Sequence, residues 1–335
     1  MDKTTEIKDR CSWVYDIETL KSCFTYTAIN IDTEEVVKYV IHKDRNDWTE
    51  LMSHLKSCKG QIGFNNIDFD YPIIHDMILC NKSWFNKSAS MAEVIINHIY
   101  KKAQSLINSQ NKEGFFPAIK VKDVIIPQLD LFKVWHYNNK ARSTSLKSLE
   151  ISMNYPNVMD MPISHTRDDI TIEEVDDILK YNLNDVLATY EFYKKSLPKI
   201  SLRKQIQAKY NIPCINFSDS KIGESLLLEL YSKQTNTNPW DIKKLRTYRN
   251  SINFNDIIFN YIKFESEEFN NLLRELKSLK IKETKKAFAK SVLYKGFIYD
   301  YGTGGIHGCI KAGVYESDEK YIIIDADVEC GVLTH

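Results

Sequence analysis

The chain contains no Cys-x-x-Cys pair. Its seven cysteines, Cys11, Cys23, Cys58, Cys80, Cys214, Cys309 and Cys330, stand singly along 335 residues. That scatter excludes a zinc knuckle and argues against a disulfide framework. Net charge is also missing, since 45 Lys+Arg balance 45 Asp+Glu. Bulk attraction to nucleic acid or anionic lipid is thereby excluded, and any polyanion site must be a local patch. No apolar run is long enough to span a bilayer, and Met1-Asp2-Lys3-Thr4 leads into no signal-peptide core. Internal repeats and low-complexity linkers are absent as well. The expectation is a reduced, soluble, cytoplasmic protein with no membrane partner. What is present, 43% hydrophobic and 27% charged residues, suits a folded protein of two or more domains.

The N-terminal pattern predicts an antiparallel meander of strands over 12–17, 24–31 and 36–41, with a turn at Asp32-Thr33-Glu34-Glu35. Trp48, Leu51, Met52 and Leu55 recur at helical spacing, and Gln61–Phe64 returns as a strand. A helix through Ile73, Ile74, Met77 and Ile78 follows, with Pro72 in its first turn. A polar, helix-prone insertion spans 81–114, a strand covers 123–131, and Ser143–Leu149 opens a short helix. Thr171-Ile172-Glu173-Glu174 is a capping-box pattern that starts a long helix, expected to close at Leu197-Pro198. A first domain over 1–200 follows from this order. A mostly helical region over 201–290 comes next, with amphipathic stretches at 222–230 and 267–279. The lysines between Lys277 and Lys290 read equally well as a solvated face or as a contact to phosphates. The final segment, 291–335, predicts two strands about Gly302–Gly305 and an apolar strand over 321–327.

Four carboxylates stand at element ends. Asp16 and Glu18 are two apart on a strand, so both side chains leave from one face. Such a pair repels itself and costs free energy to desolvate, and a cation between them relieves both. A solvated strand end would explain them as simply. Asp70 sits where a helix begins and reads equally as an N-cap, with Asp68 a rival for any role in chemistry. Asp185 lies four residues after Tyr181, on the same helical face. Asp130 reads as a helper or a strand-end cap.

In this order, Asp16-Ile17-Glu18, Asn65-x-x-x-Phe69-Asp70 and Tyr181-x-x-x-Asp185 together resemble the three motifs of the DEDD proofreading exonucleases, in the form found in family B DNA polymerases of phage type. Ser145-Leu146-x-x-Leu149 resembles the element that holds the single-stranded primer end in that family. Tyr299-Asp300-Tyr301-Gly302-Thr303-Gly304-Gly305, with one extra residue, resembles the Tyr-x-Gly-Gly-type loop between exonuclease and palm. Ile324-Asp325-Ala326-Asp327-Val328 resembles the start of polymerase motif A, with Asp327 at the Asp position.

The resemblance implies an α/β fold: an RNase H-like exonuclease domain with a mixed sheet flanked by helices, then a helical region and the first palm strands. It implies Asp16, Glu18, Asp70, Tyr181 and Asp185 as catalytic residues. Two divalent ions, Mg²⁺ or Mn²⁺, would be held by the four carboxylates, with Tyr181 orienting the attacking water. Asn65, Phe69, Ser145, Leu146, Tyr301, Gly304 and Gly305 would contact DNA, as a single-stranded 3′ end or a primer-template. The motif A match ends after Val328, so the polymerase site is expected to be incomplete in this chain. A separate polypeptide carrying the remaining polymerase regions is the further partner implied. The competing readings are a stand-alone DEDD nuclease acting on RNA or DNA ends, and a non-catalytic nucleic-acid-binding module.

Overall fold

The computed structural model describes residues 13–84, 91–110, 119–139, 143–245, 248–283, 288–302, 305–310 and 313–323. Two compact units divide at Lys243 and Lys244.

Unit 1 is a mixed α/β layer structure built on a six-stranded sheet of order β4-β3-β2-β1-β5-β6. The strands β1 (Trp13–Thr19), β2 (Cys23–Asn30), β3 (Val36–His42) and β4 (Arg45–Asn46) each run antiparallel to the next. Two shorter strands, β5 (Gln61–Gly63) and β6 (Gln128–Asp130), join β1 in parallel. The meander forms as its residues predict, with the Asn30 side chain accepting the Asp32 and Thr33 N–H groups in the turn. The expected strand over 123–131 shortens to β6, because Val121–Asp123 closes a single 3₁₀ turn.

Alternation along β1 sorts its side chains between two cores. Tyr15 and Ile17 enter a cluster with α1 (Trp48–Ser57), α2 (Asp70–Trp84) and α3 (Met91–Gln110). Val14 enters the opposite cluster with α4 (Leu131–Val134), α5 (Leu146–Ser152) and α6 (Ile172–Tyr210). Asp16 and Glu18 share the parity of Val14 and therefore face α6.

The long helix α6 opens on the predicted capping box: Thr171 accepts the Glu174 N–H, and the Glu174 carboxylate accepts the Thr171 N–H. It does not close at Leu197-Pro198. Pro198 lies inside the helix, which runs on to Tyr210 and ends on Asn211 at φ 56°. The proline removes one ladder hydrogen bond. The next turn supplies a compensation, because Arg203 is fully buried and donates to the carbonyls of Lys199, Phe217 and Val134 and to the Asp219 carboxylate. That network ties 199–219 to unit 1, which runs through α7 (Asp219–Thr235) and into α8 (Pro239–Lys244).

Unit 2 holds the two-stranded pair β7 (Ile252–Asn253) and β8 (Lys280–Ile281), with α9 (Phe254–Ile257) and α10 (Glu267–Lys277) between them. A three-stranded antiparallel sheet follows, with β10 (Phe297–Gly302) between β9 (Ala289–Tyr294) and β11 (Gly305–Cys309). The expected hairpin about the glycines is β10–β11, and β9 is a strand the pattern did not predict. Lys290 of the basic run lies on β9 and pairs with Glu275. Tyr321–Ile323 is exposed and forms no strand, its backbone bonding locally to Asp318 and Ser317 instead; the rest of that expected strand lies outside the described residues.

Candidate metal centre

β5 pairs with β1 only at Trp13–Gln61 and Val14–Ile62. The chain leaves the sheet after Gly63, which still pairs with Asp130, and so frees the β1 edge next to Asp16 and Glu18. The loop that replaces the strand needs a close approach. A Cβ on Gly63 would lie 2.7 Å from the Asn66 Cβ, so only glycine fits there. Asn65 takes the left-handed conformation at φ 62°, as asparagine tolerates.

Two buried side chains from β6 hold this loop. Asp130 accepts the N–H groups of Asn65 and Ile67 at 3.0 and 3.3 Å, and Gln128 accepts the Asn66 side-chain amide at 2.8 Å. The loop delivers Asp70 as the first residue of α2, buried, with its carboxyl group accepting the Ile17 N–H. Asp70 thus fills the place a continuing strand would take. Asp68 turns instead to Lys133, 2.9 Å away. The two candidates of the second motif are separated by these partners.

On the other face, α6 crosses β1 and β2. Asn182 bridges them, donating to Asp16 at 2.6 Å and accepting from Thr25 at 3.3 Å. One helical step away, Asp185 comes level with the strand carboxylates. Ligand oxygens of Asp16, Glu18 and Asp185 all lie within 4.8 Å of one another. Tyr181 donates its hydroxyl to Asp185, as the four-residue spacing allows.

The electrostatics follow from crowding in a poorly solvated place. Burial raises the Asp16 carboxyl well above its ordinary range, and Glu18, Asp70 and Asp185 raise it further. Glu18 is raised by burial, then by Asp185 and Asp70. Burial carries Asp70 to about 7 and Asp185 to about 6, the latter against hydrogen bonds from Tyr181 and Asn184. The Tyr181 phenol is raised by burial and by Asp185, so it stays a hydroxyl donor. A hard divalent cation fits this donor set, since it accepts oxygen ligands only and removes the repulsion among them. Asp16, Glu18 and Asp185 could hold one directly, with Asp70 acting on the same group of charges.

Two acidic residues join the site without a motif to announce them. Asp130 is fully buried, raised to about 6 by desolvation, and positions the second-motif loop. Glu150, on α5, is buried against Asn184 and raised to about 7 by burial and by Asp185. Its signal in the sequence is slight: it directly follows Leu149 of the Ser-Leu-x-x-Leu element.

Of the residues expected to contact DNA, Asn65 and Phe69 lie in the loop leading to Asp70, and Phe69 packs against the α1–α3 core. Ser145 is the N-cap of α5, accepting the Ser148 N–H, and Leu146 packs beside the α6 core. Tyr301 is buried on β10, and Gly305 opens β11 at φ 141°. Gly304 and Asp327 lie outside the described residues. Among the described residues, no helix is long and apolar enough to cross a membrane. No protein-family model, curated protein or solved structure matches the chain.

Proposed function

We propose that unit 1 is an RNase H-like, metal-dependent 3′–5′ exonuclease acting on the 3′ end of single-stranded DNA. We further propose that the chain corresponds to the N-terminal portion of a phage-type family B DNA polymerase, in which this activity proofreads. The observation that carries the reading is the convergence of Asp16 and Glu18 from β1 with Asp185 from α6 inside 4.8 Å. Gathering carboxylates in a poorly solvated place costs free energy, and a divalent cation would offset that cost. The mixed sheet order, with acids at the carboxyl ends of the parallel strands β1 and β6 and just after β5, supports the fold assignment.

When bound, two divalent ions would supply an activated water and neutralise charge on the leaving 3′ oxygen. The chain's own residues hold and orient. Asp16, Glu18 and Asp185 are the ligands, and Asp70 supports them from α2. Asn182 locks one Asp16 oxygen, which leaves the other for an ion. Tyr181 keeps its proton and donates it to Asp185, and its hydroxyl oxygen is left to orient the attacking water. The loop carrying Asn65 and Phe69, and α5 with Ser145 and Leu146, are the elements proposed to receive the 3′-terminal nucleotides.

A 5′-labelled single-stranded oligonucleotide tests the reading. Mg²⁺ or Mn²⁺ should give a ladder shortening from the 3′ end, abolished by chelation and by Asp16→Ala. Retention of the oligonucleotide without cleavage at any metal concentration would turn the assignment to a binding module. Cleavage restricted to RNA would separate the nuclease from a proofreading role.

A further inference from the structure

Helices α2 and α3 bring a second donor set together, apart from the carboxylate cluster. Asp76 and Cys80 are four residues apart on α2 and so share one face. His98 comes from α3, which packs alongside. A carboxylate oxygen of Asp76, the Cys80 Sγ and a His98 ring nitrogen all lie within 4.8 Å of one another. His98 Nε2 stands 2.6 Å from Asp76 Oδ2.

We propose that Asp76, Cys80 and His98 form a transition-metal site, suited to Zn²⁺ and distinct in chemistry from the carboxylate cluster. Thiolate with imidazole selects borderline and soft cations, whereas an all-carboxylate set selects hard ones. An ordinary surface pair would need only Asp76 and His98. Such a pair contributes at most about 1 kcal/mol and gives no reason for a thiol beside it. Zinc takes sulfur at about 2.3 Å and nitrogen or oxygen at about 2.0–2.2 Å. Small rotations of three side chains on two helices bring these donors to such distances. Three protein ligands leave a fourth tetrahedral position for water. On binding, the cation expels the Cys80 thiol proton; His98, which donates Nε2–H to Asp76 in the metal-free chain, gives up that proton to solvent or shifts to the Nδ1–H tautomer, and the freed Nε2 lone pair takes the metal. Lys102, 3.9 Å from Asp76, must swing into solvent, which weakens the site without removing a ligand. The clip would join α3 to the helix that begins at Asp70.

Cobalt(II) is the probe, because a thiolate ligand gives it a near-ultraviolet charge-transfer band. The full chain carrying Asp16→Ala and Asp185→Ala, which empties the other site, is titrated with Co²⁺. The expected result is a thiolate band that saturates at one equivalent, is displaced by Zn²⁺, and is unmoved by excess Mg²⁺. Cys80→Ser should remove the band. His98→Gln, at a half-buried position, should weaken cobalt binding by about tenfold or more while the urea unfolding midpoint stays that of a folded chain. Absence of a band at millimolar cobalt, or a band that survives Cys80→Ser, would overturn the proposal. Unchanged affinity in His98→Gln would do the same.

Discussion

Replacing Asp185 by asparagine should stabilise the metal-free protein while abolishing the proposed nuclease activity. In the folded chain, burial holds the Asp185 carboxyl at about 6 instead of 3.8. A folded-state value raised above the unfolded one means that the native protein binds more protons between those pH values. Its stability therefore falls as pH rises from about 4 to about 6, and the loss is complete above that. Two pH units correspond to about 3 kcal/mol. Asp185 is partly solvated, and its charge is screened, so about 1–2 kcal/mol is the expected penalty at pH 7.5. Asparagine keeps the shape and an acceptor for the Tyr181 hydroxyl, and it removes the charge. All five tryptophans (Trp13, Trp48, Trp84, Trp135 and Trp240) precede Lys244, so tryptophan fluorescence during urea unfolding reports unit 1 alone. In EDTA at pH 7.5, the variant should exceed the parent by about 1–2 kcal/mol, with the gap closing towards pH 4. Mg²⁺ should reverse the order by stabilising only the parent. A variant less stable than the parent in EDTA at pH 7.5 would refute the picture of four mutually repelling acids.

Other substitutions probe the parts separately. Asp16→Ala should remove nearly all 3′–5′ cleavage, whereas Tyr181→Phe should lower it less, because it deletes one hydrogen bond and no ligand; equal losses in single-turnover assays would contradict these roles. Gly63→Ala should destabilise unit 1 by about 1–3 kcal/mol in urea unfolding, since the new Cβ meets Asn66 at 2.7 Å, and activity should fall as the Asp70 loop shifts. Arg203→Met should cost about 3 kcal/mol or more, because the buried carbonyls of Phe217 and Val134 lose their donor; a neutral result would deny Arg203 its part in extending α6.

The local code was legible in the sequence. Alternation along 13–19 put Asp16 and Glu18 on one face, a four-residue step joined Tyr181 to Asp185, and Thr171 with Glu174 marked where the long helix starts. Each depends on neighbours within a turn or a strand, which the order of residues specifies directly. Which face meets which was decided by tertiary packing. Asp70 and Asp68 stand two residues apart before the same helix, and packing separates their fates: Lys133 takes Asp68 and the Ile17 N–H takes Asp70. Pro198 reads as a stop, but Arg203 finds carbonyls up to 69 residues away and the helix continues through it. Asp130 reads as an ordinary strand end until the 65-residue return of the Asn65 N–H shows what it holds. β9 is half exposed and pairs along its length with β10, so its strand character comes from the partner rather than its own pattern. Periodicity tells a side chain which way to face; only the folded chain brings a distant backbone amide or ammonium group within reach of it.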